Sequence, residues 1–193
     1  MLETLGFSIH YLPYFIVITQ GLALLFTRRL YFAAFLGGQV INELINNVLK
    51  KMFKQPRPSG KGMGYGMPSA HAQFFTFLFF YLISNIKTKS NFIEQSKRVV
   101  APVLFSLLVL VCWSRVYHGY HTLIQVLVGV SFGVGFSYSW THIVASIITS
   151  NAFSWLIQRK YIMLLCLNND LDYYKPATSL FSLDRKHLSV KNN

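Results

Sequence analysis

Acid is scarce in this chain. Asp and Glu total six among 193 residues, against eighteen Lys and Arg. That is too sparse for a magnesium-binding cluster, which needs several oxygen ligands in one place. Cysteine is almost missing too. Cys112 lies in an apolar run and Cys166 in the tail, giving neither a disulfide framework nor zinc spacing. No basic segment opens the N-terminus, MLETLGFSIH, which carries Glu3. It is a poor cleavable signal peptide, so the first apolar run is expected to stay in place. No internal repeat and no sustained low-complexity segment appears.

What fills the chain instead is apolar. Hydrophobic residues make up 53% and charged ones 12%, with a mean hydropathy of +0.40. Length suggests one domain. The apolar residues occur in runs, and about 20 of them cross roughly 30 Å of hydrocarbon. Five spans are readable, near 11–26, 30–49, 70–86, 99–113 and 121–140. The expected fold is all-α, a polytopic membrane helical bundle of about five transmembrane helices. A further apolar stretch, 143–157, stays open between a weak sixth span, an extension of the fifth and an interfacial helix. Residues 1–160 read as one membrane-embedded domain and 161–193 as a polar tail.

With five spans the loops alternate sides. Residues 50–68 and 114–120 share one face, carrying Lys50, Lys51, Lys54, Arg57, Lys61 and Arg115. The other face carries Arg28, Arg29, Lys87, Lys89, Lys97 and Arg98. The raw count is even and does not orient the chain. Assigning part of the first set to a substrate leaves the second face cytosolic and the first lumenal or extracellular. The net charge of +12 then fits loop charge plus an anionic substrate better than nucleic acid.

Three stretches of that first face carry the chemistry: KKMFKQPRP at 50–58, PSAH at 68–71 and SRVYHGYH at 114–121. Together they supply Lys50, Arg57, Ser69, His71, Arg115 and His121, the kit for a phosphate. Lysine and arginine neutralise it, and a guanidinium bonds its oxygens in pairs. Pro68 and Ser69 read as a helix start with Ser69 as N-cap, and the free N–H groups that follow, from Ala70 on, make an anion site. In one continuous helix Arg115 and His121 would lie about 240° apart. Arg115 is therefore expected to end the fourth span and His121 to begin the fifth, with Gly119 turning the chain between them. His121 and Gln125 then share a helical face.

Ordinary readings compete. PSAH alone is common helix capping. Lys51, Lys54 and Lys61 read as plain juxtamembrane charge, whereas the spacing of Lys50 to Arg57 favours a site. GKGMGYG does not follow a strand of a βαβ unit and is no P-loop, so a flexible loop is expected. His118 rivals His121, but spacing favours His121. His10, His142 and His187 read as interfacial or solvated. Asn42, Glu43, Asn46 and Asn47 in the second span either glue helices or serve the site. Gly129 and Gly133 suggest close helix packing.

The pattern Lys-x6-Arg-Pro, Pro-Ser-x-His and Ser-Arg-x5-His resembles the type 2 phosphatidic acid phosphatase (PAP2) superfamily of membrane lipid phosphatases. It is carried by Lys50, Arg57, Pro58, Pro68, Ser69, His71, Ser114, Arg115 and His121. The superfamily usually has Asp four residues after the last His, where this chain has Gln125. That glutamine, with YGMPSAHAQF and SRVYHGYHT, is similar to the dolichyl-diphosphate phosphatase branch. The resemblance implies hydrolysis of dolichyl diphosphate in the endoplasmic reticulum membrane, with a lumenal site, recycling the carrier for protein N-glycosylation. It implies His121 as the nucleophile that becomes phosphohistidine and His71 as general acid and base. Lys50, Arg57, Ser69, Ala70 and Arg115 would hold phosphoryl oxygens, and Gln125 would orient His121. Gln125 brings no negative charge, and Glu43 is a candidate to compensate. No cofactor, no metal and no obligate protein partner is implied beyond the lipid substrate and the bilayer. Rival functions are a phosphatase for another lipid or sugar phosphate, and a non-catalytic scaffold or transporter.

Overall fold

The computed structural model describes residues 2–60, 64–85 and 91–150. They form five helices: α1 (Leu2–Thr27), α2 (Leu30–Phe53), α3 (Ala70–Asn85), α4 (Asn91–Tyr117) and α5 (Leu123–Thr149). The all-α bundle is as expected. Three helical segments are long and apolar enough to cross a bilayer, Ile9–Thr27, Arg98–Tyr117 and Leu123–Ile148. The other two expected spans differ for separate reasons. α3 is only 16 residues long, and α2 carries polar side chains through its middle.

Those polar side chains have a direction. Gln39, Asn42 and Asn46 of α2 are all buried and recur at three- and four-residue steps, one stripe of a helix. The stripe faces α3. Gln73 Nε2 donates to Asn42 Oδ1 at 2.8 Å, and Asn46 Nδ2 donates to Gln73 Oε1 at 2.8 Å. Buried amides away from water stay cheap only when they find such partners. Further along, Tyr81 of α3, fully buried, stacks on Phe35 at 5.1 Å and on Phe77 at 5.3 Å. Such ring pairs add roughly 0.5–1.5 kcal/mol each beyond area burial.

α3 is the hub, packed most extensively on α5 and then on α4 and α2. Glycine makes the α3–α5 approach possible. A Cβ at Gly129 would lie 2.6 Å from the Ser69 carbonyl oxygen, and one at Gly133 2.7 Å from Thr76 Cβ. The expected close packing at Gly129 and Gly133 is therefore present. The outer surface is apolar in the way lipid requires: Phe15, Leu25, Phe26, Val103 and Ile124 are all exposed. This is a membrane protein.

α5 continues through Thr149, so the first part of the 143–157 stretch extends the fifth helix. Its remainder and the polar tail lie outside the described residues. The α2–α3 loop and the α4–α5 turn meet at one end of the bundle, as the alternation of spans requires: Ser69 N–H donates to the Gln125 carbonyl at 3.0 Å.

Candidate active site

Three segments build the site. α2 ends at Phe53, and Lys54 closes it in the left-handed region (φ 48°), its N–H on the Lys50 carbonyl. Lys50 is half-buried on the last turn, while Lys51 and Lys54 are exposed. The loop then folds back on itself, with Gly66 N–H donating to the Gln55 carbonyl at 2.7 Å. α3 begins at Ala70, directly after buried Ser69. Ser69 holds the capping position by its backbone, since its carbonyl accepts from Gln73 N–H at 3.0 Å. Its hydroxyl does not cap: buried Ser69 Oγ has no hydrogen-bond partner.

The third segment is the turn after α4. Gly119 sits at φ 71°, the left-handed region that favours glycine. Tyr120 N–H and His121 N–H both donate to the Arg115 carbonyl, at 3.1 and 3.2 Å. α4 runs two residues past Arg115, to Tyr117, and Thr122 rather than His121 caps α5. Arg115 and His121 thus fall on opposite sides of the turn, as geometry demanded. Arg115 is 1% exposed, yet its Nε has no partner. Its guanidinium carbon lies 5.0 Å from the Tyr120 ring centroid.

His121 is fixed from one side. Its Nδ1–H donates to the Gly66 carbonyl at 2.8 Å, with Gln125 Oε1 at 3.3 Å as a weaker second acceptor. A carbonyl oxygen only accepts, so Nδ1 carries the hydrogen and Nε2 keeps its lone pair. That is the arrangement of a nitrogen nucleophile.

Residues 30–149 match the PAP2 superfamily. The chain belongs to the PAP2 superfamily. It is 36% identical to the dolichyldiphosphatase of Saccharomyces cerevisiae over 171 residues, 82% of this chain and 67% of that protein. It is 36% identical to dolichyldiphosphatase 1 of Homo sapiens over 140 residues, 66% of this chain and 59% of that protein. The chain thus spans about three fifths to two thirds of these relatives' length. The fold is shared with a crystal structure of a transmembrane PAP2-type phosphatidylglycerolphosphate phosphatase from Bacillus subtilis, at a TM-score of 0.64 and 22% identity. That alignment covers 76% of this chain and 78% of the other.

Within this PAP2 site, Gln125 does more than orient His121. Its Nε2 donates to the Pro56 carbonyl at 2.9 Å and to Gln55 Oε1 at 3.2 Å. Its Oε1 also accepts from Thr122 N–H at 3.2 Å, while Gln125 N–H donates to Thr122 Oγ1 at 3.3 Å, a reciprocal cap on α5. A carboxylate at this position has no hydrogen to give Pro56 or Gln55. Glu43 Oε1 accepts from Asn47 at 3.3 Å, and the group closest to His121 Nδ1 is the Gly66 carbonyl. That carbonyl could not be read from the sequence, because a backbone acceptor has no residue type. Gly66 itself is the trace it leaves. A Cβ there would lie 2.8 Å from Gln125 Oε1, 2.9 Å from Gln125 Nε2 and 3.1 Å from Arg57 Cγ.

Electrostatics completes the PAP2 site. Burial, and then the nearby Arg57 charge, hold the His121 pKa at about 4, below its ordinary 6.5. His121 is therefore neutral at pH 7 and able to attack. His118 packs on the rings of Tyr117 and Tyr120, at 5.2 and 6.3 Å. His142 packs on Tyr138 at 4.4 Å. His187 lies outside the described residues. His10 is exposed, as an interfacial or solvated histidine should be, and its ring also stacks on that of His71 at 5.5 Å. Among the described residues no group of three His, Cys, Asp or Glu is placed to hold a metal ion.

Proposed function

We propose that the chain hydrolyses dolichyl diphosphate to dolichyl phosphate and inorganic phosphate through a phosphohistidine. The observation that carries this reading is the Nδ1–H bond of His121 to Gly66, which leaves Nε2 with its lone pair; the signature residues Ser69 and Arg115 also keep buried donors without partners, Oγ and Nε. An unfilled donor at such burial costs about 1–3 kcal/mol, a cost that a bound phosphoryl group removes.

In the first step His121 Nε2 attacks the terminal phosphorus. The bond from that phosphorus to the bridging oxygen breaks, and His71 gives a proton to the departing oxygen. In the second step His71 takes a proton from water, whose oxygen attacks the phosphohistidine and releases phosphate. Lys50, Arg57, Arg115, the Ser69 hydroxyl and the Ala70 N–H receive the charge that develops on the oxygens.

A groove of about 470 Å³ supports a lipid over a sugar phosphate. Ala70 and His71 stand at its polar side, and Val17, Ile18, Leu44 and Phe74 line it with hydrocarbon. Its volume lies in the range of ligand sites, roughly 300–1,000 Å³. The substrate class is further supported by the 36% identity to proteins named dolichyldiphosphatase.

The same reading places the chain in the endoplasmic reticulum membrane with the site facing the lumen, supported by loop charge and family likeness. A cysteine at position 62, in a chain with Cys112 and Cys166 replaced by serine, is expected to resist an impermeant reagent in sealed right-side-out microsomes. Labelling there overturns the lumenal placement.

The deciding assay is phosphate release by purified protein in detergent. Dolichyl diphosphate is expected to be turned over in EDTA, faster than dolichyl monophosphate or phosphatidic acid, and His121→Ala to drop to background. Equal release by His121→Ala removes the mechanism. No turnover of any of these lipids by folded protein removes the function.

A further inference from the structure

The superfamily match begins at residue 30, so α1 lies outside it. Yet α1 reaches the catalytic end of the bundle. The His10 carbonyl lies 3.2 Å from His71 Nε2. The His10 ring lies on the His71 ring, with centroids 5.5 Å apart and planes 25° from parallel. The His10 ring also lies 6.5 Å from the Tyr120 ring, with planes 24° from parallel. α1 therefore holds His71 by an acceptor at one ring nitrogen and by a flat face against the ring.

A carbonyl oxygen accepts only, so His71 Nε2 must carry hydrogen in this contact. Nδ1 is then the nitrogen left to exchange a proton. We propose that His10 of α1 is a positioning residue for His71, fixing its tautomer and ring plane so that His71 works through Nδ1. This rests on the acid–base role given to His71 above. The proton balance is simple. Doubly protonated His71 gives its Nδ1 proton to the leaving phosphate oxygen and stays protonated on Nε2, bonded to the His10 carbonyl. Nδ1 then takes the proton of the attacking water.

The arrangement mirrors that of His121. There a backbone carbonyl takes Nδ1–H and frees Nε2; at His71 a backbone carbonyl takes Nε2–H and frees Nδ1. Charged and titratable groups around His71 come from several elements: His10 of α1, Glu43 of α2 across the shared groove, Arg115 of α4, and His121 of the turn. Of these, His10 is the one whose ring lies flat on it.

The test uses the full chain with 15N-labelled histidine in detergent, and the variants His10→Ala and His10→Phe. Phenylalanine keeps a flat face and Ala removes it, while both keep the backbone carbonyl. Imidazole nitrogen spectra, assigned with His71→Ala, are expected to show neutral His71 as the Nε2–H tautomer in the unaltered protein. In His10→Ala, kcat on dolichyl diphosphate is expected to fall about tenfold, the worth of an aromatic contact at the transition state, with KM changed less than about twofold. His10→Phe is expected to recover most of kcat. An Nδ1–H tautomer at His71 overturns the proposal. So does unchanged kcat in His10→Ala, or a His10→Phe protein as slow as His10→Ala. The spectra need no turnover, so failure of the substrate assignment shows itself separately, as absent phosphate release with the tautomer intact.

Discussion

Gln125 illustrates what a single side chain contributes at this site. A carboxylate is usual at this place in the family, and the obvious reading is that a glutamine weakens the enzyme. The amide instead both accepts from His121 and donates to the Pro56 carbonyl at 2.9 Å, which a carboxylate cannot do. Gln125→Asp therefore loses a bond worth about 1 kcal/mol net, leaves the Pro56 carbonyl without its donor, and shortens the side chain. We expect kcat/KM for dolichyl diphosphate to fall about tenfold or more, a factor of ten being about 1.4 kcal/mol. A faster Gln125→Asp enzyme contradicts this role. His121 supplies a second expectation. Its folded pKa near 4 lies below the ordinary 6.5. As pH falls between those values the unfolded chain takes up a proton that the folded chain refuses. Stability from this group is thus present above pH 6.5 and declines toward pH 4. Thermal unfolding in detergent should show a falling midpoint from pH 7 to pH 5, and His121→Gln should flatten that slope.

At the scale of elements the α3–α5 contact decides whether the site exists. Gly129 meets the Ser69 backbone, and Gly133 meets Thr76 and the Gln73 carbonyl. Backbone atoms cannot swing aside, so Gly129→Ala or Gly133→Ala forces the helices apart, and overpacking of this kind costs roughly 1–3 kcal/mol. Gly135 has nothing within 4 Å of a built Cβ and is the internal control. We expect the first two variants to lower both the unfolding midpoint and phosphate release, and Gly135→Ala to change neither. Equal behaviour of all three separates the glycines from the packing. This much was legible in the sequence, because spacing along a helix is a local property. So was the turn at Gly119, which follows from six residues between two groups that must converge. The Asn42–Gln73–Asn46 bonding was half legible. The asparagines stand out as polar residues in a span, but Gln73 has no spacing that ties it to them. His10 was missed for a related reason: its partner is brought to it only by how α1 leans on α3.

For the whole molecule, the three signature segments were legible and their supports were not. Side chains announce themselves by type, whereas the carbonyls of Gly66 and residue 10 and the amide of Ser69 belong to every residue alike. The groove between α1, α2 and α3 was also silent, since Val17 and Ile18 look like any lipid-facing residues until a wall stands opposite. Filling it offers a test at this scale. Val17→Trp should raise KM for dolichyl diphosphate about tenfold, and should raise it much less for a short-chain isoprenyl diphosphate. Equal effects on both place the hydrocarbon elsewhere. The meeting of Ser69 N–H with the Gln125 carbonyl has a further consequence, in biosynthesis. Synthesis runs from the N-terminus, so α2 and α3 leave the ribosome before α5. With the proposed roles, the nascent chain owns its acid–base histidine and most of its phosphate cradle before it owns a nucleophile. On these roles it stays inert toward lipid phosphates until the turn carrying His121 has been made and α5 has packed against α3.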